Sequence, residues 1–520
     1  MTKSHSVGPI SMRYFRATVL ILVGVLSNPH NQTLAQHKDW SEARESITTA
    51  KLKRHVDVLA GDSFEGREAG SRGGHAAGGY IVKSFSGLKF IGKGDEKSYF
   101  QSFGSSYRNI LALLPGSDRK LREEVILVGA HYDHVGYGTR YNSYGPTGYI
   151  HNGADDNASG TAALIEIARA FDSLQKPPKR SVLFVFWDAE EKGLLGSKHF
   201  VASPTIPLSQ IRFAFNVDMV GRIRKNNLTV FGTRTNRGLR RLTSEANHAE
   251  AKLQLNFAWH LQSNSDHYNF FRHEIPILML HSGLHSDYHR PSDDAHLVNS
   301  KDMQRASRLL GRLVHEIANS STPTKFRTRS TRESAYAKEL FETPLEDLPP
   351  RLGIWWDPPK KHKGKLMIVA VRSGSPAEYA DLRIGDEVVK VDGKPFQGED
   401  RFQLQILAAK KTIHLSIRRD GEAELIEKPI PLSREPVRVG VAWRFDASEP
   451  GVAFISRVVN GSAAAQCGLR VGDRIYRVNG KRFKDGNELF QRFVALPGPF
   501  RLTVERDGRL RDLLMKVLPQ

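Results

Sequence analysis

The chain has 520 residues, more than one hydrophobic core ordinarily organises, so several domains are expected. With 39% hydrophobic and 25% charged residues, the composition excludes a collagen-like or disordered chain. The formal charge of +20 at pH 7 is compatible with anionic partners. The lysines and arginines are scattered, however, and there is neither zinc-finger spacing nor an RNP signature, so no nucleic-acid ligand is expected.

In chain order, Lys3, Arg13 and Arg16 precede the apolar run Ala17–Leu26, and Thr33 to Ala35 offers small residues before Gln36. That order predicts a signal peptide over residues 1–35 and an exported protein, periplasmic or extracellular. An uncleaved anchor is the alternative, although the run is short for a bilayer span and no other stretch approaches that length. Cys467 is the single cysteine, so no intrachain disulfide forms.

Residues 36–319 form the first expected domain. Ser41–Phe85 reads as helix and loop, with a glycine-rich turn around Gly66–Gly79. Beyond it, Val125–Ala130, Ser181–Trp187, Ile211–Val217 and Ile275–Leu280 are short apolar runs that predict buried strands. Between them, Ala158–Leu174 places Leu164, Ile167, Ala168 and Phe171 on one helical face. Alternating strands and helices predict an α/β fold, a mixed, mostly parallel sheet flanked by helices. Residues 320–335, rich in Ser, Thr, Lys and Arg, read as a linker.

The remainder repeats itself. Arg351 and Gly353 recur as Arg438 and Gly440, Leu382–Asp386 as Leu469–Asp473, and Arg419–Gly421 as Arg506–Gly508, always 87 residues later. A constant offset means two copies of one small β-rich domain, over 336–433 and 434–520.

The first domain ends its predicted strands on metal-ligand residue types. Val125–Ala130 runs into His131 and Asp133, and Ser181–Trp187 into Glu190 and Glu191. Ile211–Val217 runs into Asp218, while Asp155, Asp156 and Asn157 stand just before the predicted helix. Tyr288, His289 and Asp293 follow the last strand. Taken singly, such residues are commonly structural: a cap, a turn or a solvated helix start. Their recurrence at strand ends argues for a site, because parallel strands share one carboxyl edge. Imidazoles and carboxylates without thiolate suit zinc or a similar divalent ion. His134 and His151 flank a glycine- and tyrosine-rich loop, Tyr137–Asn152, and neither fills a motif position.

These residues resemble a family. HxD, then GADDNxSG, then EE followed by GxxGS, then a strand-ending Asp, then YHxxxD is similar to the secreted di-zinc aminopeptidases, relatives of glutamate carboxypeptidase and glutaminyl cyclase. Ser265, Asp266 and His267, followed by Ile275 and Pro276, resemble that family's late SDH…IP segment. The resemblance implies two Zn²⁺ per chain, bridged by Asp155. His131 and Asp218 would complete one site, Glu191 and His289 the other. It implies Glu190 as general base, Asp133 behind His131, Tyr288 at the oxyanion and Asp293 behind His289. The activity implied is that of an aminopeptidase; a carboxypeptidase or a glutaminyl-cyclase-like acyltransferase is the alternative. The two C-terminal copies resemble PDZ domains of bacterial exported proteases, with Leu352–Ile354 and Val439–Val441 at the carboxylate-binding loop, which implies peptide or protein ligands. With every assigned residue ahead of the linker, the first domain is expected to work without the other two.

Overall fold

The computed structural model describes residues 39–518 together with Met1, so the signal peptide expected over 1–35 lies, Met1 apart, outside the described residues. Among the described residues no helix is long and apolar enough to cross a membrane.

The first domain is built on a nine-stranded sheet. Its strands are β1 (Ile91–Gly92), β2 (Phe100–Phe103), β3 (Tyr107–Leu114), β4 (Val125–His131), β5 (Ser181–Trp187), β6 (Ile211–Val217), β7 (Asn227–Phe231), β8 (Gln254–Phe257) and β9 (Ile277–His281). They lie in the order β1-β3-β5-β4-β6-β9-β7-β8, with β2 also on β3. The centre, β5-β4-β6-β9, is parallel, and antiparallel pairs flank it at β3/β5 and β9/β7.

The central strands are unbroken apolar runs because helices cover both faces. On β4, Ile126, Val128 and Ala130 join one core while Val125 and Leu127 join the other, which is the two-residue alternation of a strand. The first face carries α1 (Thr49–Leu59), α2 (Arg72–Ser84), α3 (Gly160–Asp172), α5 (Leu239–Glu250) and α7 (Ser300–Asn319). The second carries α4 (Leu195–Ala202) and α6 (His267–Arg272), through Phe200 and Phe270. The last predicted strand begins two residues later than expected, at Ile277: Pro276 has no amide proton to give the ladder, and only its carbonyl pairs, accepting from the Ala214 amide at 2.9 Å.

The repeats are separate antiparallel sheets. The first comprises β10 (Ile354–Trp356), β11 (Leu366–Val371), β12 (Glu387–Val391), β13 (Lys394–Pro395), β14 (Thr412–Arg418) and β15 (Ile426–Pro431). The second comprises β16 (Val441–Arg444), β17 (Ala453–Val458), β18 (Arg474–Val478), β19 (Phe500–Arg506) and β20 (Arg509–Met515). The offset of 87 reappears as identical contacts. Arg351 donates to the carbonyls of Ile406, Leu407 and Ala409, and Arg438 to those of Phe493, Val494 and Leu496. Gly353 and Gly440 both lie at positive φ (86° and 83°), and a Cβ on either would overlap Ser375 or Ser462.

The second repeat is fastened to the first domain. Arg240 on α5 pairs with Glu505 at 3.0 Å, both buried, and the Leu255 amide donates to the Asp507 carbonyl at 2.8 Å. Asn247 Nδ2 donates to the Gly508 carbonyl at 2.7 Å. Residues 320–335 also run along this domain: the Arg327 amide donates to the Thr235 carbonyl at 2.8 Å, and Glu333 takes both Arg327 and Arg234.

Candidate metal centre

The parallel strands β4, β5 and β6 deliver His131, Glu190, Glu191 and Asp218 to one sheet edge, as their order requires. The turn Gly153–Ser159, leading into α3, and the loop after β9 bring the remaining donors. His131 Nε2 lies 3.3 Å from Asp156 Oδ1 and 3.3 Å from Asp218 Oδ1. His289 Nε2 lies 3.2 Å from Asp156 Oδ2 and 3.1 Å from Glu191 Oε2. Each set of donor atoms, His131/Asp156/Asp218 and His134/Asp156/Glu191/His289, lies within 4.8 Å of itself, and Asp156 belongs to both.

Asp155, the bridging residue expected from the sequence, is not in this cluster, and its neighbour Asp156 stands there instead. The Asp155 carboxylate is buried behind the site, accepting from the Gly221 amide at 2.6 Å and Ser159 Oγ at 3.0 Å, with His285 Nε2 at 3.3 Å. It ties the turn to the segment after β6. Asn157 does the same on its other side, taking the Met219 amide at 3.1 Å.

Asp293 differs from expectation, and Asp133 lies behind His131 as expected but also holds other groups. Asp293 does not orient His289: its Oδ2 accepts the amides of Asp155 at 3.0 Å and Asp156 at 3.1 Å, fixing the turn that presents Asp156. Asp133 accepts the amides of Glu190 at 3.0 Å and Glu191 at 3.3 Å. The acceptor closest to His131 Nδ1 is the backbone carbonyl of Asp133 at 3.2 Å, with the carboxylate at 3.8 Å. Asp218 is held by Ser265 Oγ at 2.8 Å, so the SDH segment reaches the site through its serine.

Three further residues carry no motif signal. His134 enters the second donor set, while His151 turns away to Ser143 and pins the tyrosine-rich loop. Arg67 is fully buried and donates to the carbonyls of Leu59, Tyr132, Asn152 and Gly153, clamping the end of β4 that carries His131 to the turn that carries Asp156.

The donors open on a cavity of about 260 Å³ lined by His131, Asp156, Glu190, Glu191, Asp218 and Tyr288 among others. Burial pushes the Glu190 carboxyl well above the usual carboxylate range. Burial also opposes charge on Asp156, but hydrogen bonds from His131 and His289 hold it well below that range. Against burial, the Asp156 and Glu191 carboxylates push His289 up to about 11. The Tyr288 ring stacks on His289 at 4.0 Å, and burial raises its hydroxyl, which stays a proton donor. Residues Ala189, Met219 and His289, at φ of 56°, 54° and 52°, hold left-handed backbone in or beside the ligand turns.

Three segments of the chain match known families. Residues 109–314 match the model of peptidase family M28, and residues 350–429 and 454–506 match PDZ domain models. The chain is 29% identical over 217 residues to leupeptin-inactivating enzyme 1 of Streptomyces exfoliatus, covering 41% of this chain and 45% of that protein. It is 26% identical over 229 residues to aminopeptidase YwaD of Bacillus subtilis (strain 168), covering 42% and 46%. The chain thus spans about half the length of the curated relatives it matches. Among solved structures it is similar to LapA of Legionella pneumophila, 20% identical with a TM-score of 0.46, over 55% of this chain and 77% of that one.

Proposed function

From the premise that the chain carries a peptidase family M28 domain followed by two PDZ domains, we propose that it is an exported two-zinc aminopeptidase whose PDZ domains hold peptide termini or partner proteins. The observation that carries this reading is Asp156, whose two carboxylate oxygens face two different histidines at the junction of two donor sets.

The donors fit zinc. They are imidazole and carboxylate, and the carboxylates of Asp156, Asp218, Glu190 and Glu191 are buried together, an arrangement that is costly without a cation. His131, Asp156 and Asp218 would hold one ion, and Asp156, Glu191 and His289 the other. When bound, zinc supplies Lewis-acid charge to a water and to the scissile carbonyl.

The chain's own residues do the rest. Glu190, whose carboxyl burial pushes up, takes a proton from water and returns it to the leaving amine. Asp133 positions Glu190 through its amide. Tyr288 donates its hydroxyl proton to the oxygen that gains charge. No lysine or arginine lines the cavity, and four of its residues are carboxylates. With Asp156, Asp218 and Glu191 given to zinc and Glu190 to proton transfer, the cavity offers no side-chain cation to pair a C-terminal carboxylate, which supports an aminopeptidase over a carboxypeptidase.

The test is hydrolysis of aminoacyl 4-nitroanilides beside their N-acetylated forms. Cleavage confined to the free amines is expected. Equal cleavage of both forms would contradict the aminopeptidase assignment, and cyclisation of glutaminyl peptides without hydrolysis would favour the cyclase alternative.

A further inference from the structure

The two donor sets that share Asp156 are unequal, and His134 makes the difference. We propose that His134 is a third imidazole of the centre, its Nδ1 the fourth protein donor to the ion held by Asp156, Glu191 and His289. This inference rests on the two-metal reading above.

His134 Nδ1 lies 2.9 Å from Glu191 Oε1 and 3.8 Å from Asp156 Oδ2. His289 Nε2 faces the same two carboxylates at 3.1 and 3.2 Å. The two rings stand nearly perpendicular, at 84° with centroids 5.5 Å apart, so they approach the carboxylates from different sides. Donors about 2.0–2.1 Å from a tetrahedral zinc stand roughly 3.3 Å from one another, and the separations here bracket that value.

The position is built to hold the ring. The His134 amide donates to the Arg67 carbonyl at 3.2 Å, and its buried Nε2 has no protein partner, which leaves Nδ1 as the engaged nitrogen. Gly153, at φ 54°, gives the ring its space: a Cβ there would come within 2.4 Å of His134 Cδ2. The side chain that faces one donor set is therefore accommodated by the turn that presents Asp156 to both.

A division of labour follows. Four protein donors close a zinc site, whereas three leave a position open for water or substrate. The ion beside His134 is thus the more tightly held and slowly exchanging one. The ion at His131, Asp156 and Asp218 keeps the open position.

The test uses the whole chain loaded with zinc, in a crystal structure with anomalous scattering at the zinc edge. Two ions with His134 Nδ1 about 2.1 Å from one of them are expected. Two ions with Nδ1 beyond 3 Å from both would overturn this inference and leave the two-metal reading standing; no ion in either set would overturn both. In solution, zinc titration against a competing chelator is expected to show more than a 100-fold affinity loss for one equivalent in His134→Ala, the other unchanged. That exceeds the roughly 10–100-fold that follows loss of a residue merely supporting a ligand. A loss of less than tenfold at both equivalents would overturn the assignment.

Discussion

Glu505→Ala should loosen the second PDZ domain from the large sheet. Glu505 is fully buried, receives Arg240 Nε at 3.0 Å and Nη2 at 3.2 Å, and takes the Gly508 amide at 2.7 Å. Removing one partner of a buried pair typically costs about 3–5 kcal/mol, because the other charge stays buried without compensation. Arg240 would keep its place over the Phe257 ring at 4.2 Å, a contact worth roughly 0.5–2 kcal/mol that supplies no acceptor. The loss is therefore a large share of a typical domain stability of about 5–15 kcal/mol. Urea unfolding of Arg240→Ala, Glu505→Ala and the double variant measures the pair directly, and a coupling energy of about 1–3 kcal/mol is expected. Single-variant losses that add to within about 0.5 kcal/mol would refute the contact as a fastening. A chain ending at Thr322 loses this fastening altogether. Such a chain would leave Leu255 and Phe257, buried beside the second repeat, and Trp259, buried against Phe341, without their covers, and Arg234 and Arg240 without Asp446 and Glu505. It should melt lower or aggregate rather than behave as an autonomous enzyme.

Glu190→Gln should retain zinc and lower kcat by about 10²–10⁴, the contribution of a positioned general base; an unchanged kcat in the fully loaded variant would remove Glu190 from that role. Tyr288→Phe should lower kcat by roughly 10²–10³, as loss of one oxyanion donor does, with zinc content unaltered. A change under threefold would reduce Tyr288 to packing on His289. Zinc binding should release protons and tighten as pH rises, because the metal-free site holds His289 at about 11 and an imidazole ligates only when neutral. Calorimetry in two buffers of different ionisation enthalpy reads the proton count, and a count of zero at pH 7 would contradict the protonated metal-free site.

The sheet was legible because its central strands are continuous apolar runs: Ser181–Trp187 and Ile211–Val217 stand as read, and the polar residues beyond them converge as parallel order demands. Which aspartate faces both donor sets was not legible, since Asp155 and Asp156 are adjacent and the spacing of motifs cannot tell which faces inward. The turn decides it: Asp156 leaves helical geometry at φ −102°, ψ 98°, which swings its side chain into the cluster while Asp155 is claimed by Gly221 and Ser159. His134 lay hidden for a similar reason, because it stands beyond the end of β4, where strand alternation no longer predicts direction. The fastening of the second repeat rests on Arg240 and Glu505, 265 residues apart, and no local pattern joins them.

That Asp156 joins two zinc ions is tested most directly by zinc content per chain. The measurement is made by elemental analysis after dialysis against a mild chelator, on the unaltered chain, Asp155→Asn and Asp156→Ala. Two zinc ions are expected in the unaltered chain and in Asp155→Asn, and fewer than one in Asp156→Ala. Two ions retained by Asp156→Ala, or their loss from a folded Asp155→Asn variant alone, would contradict it.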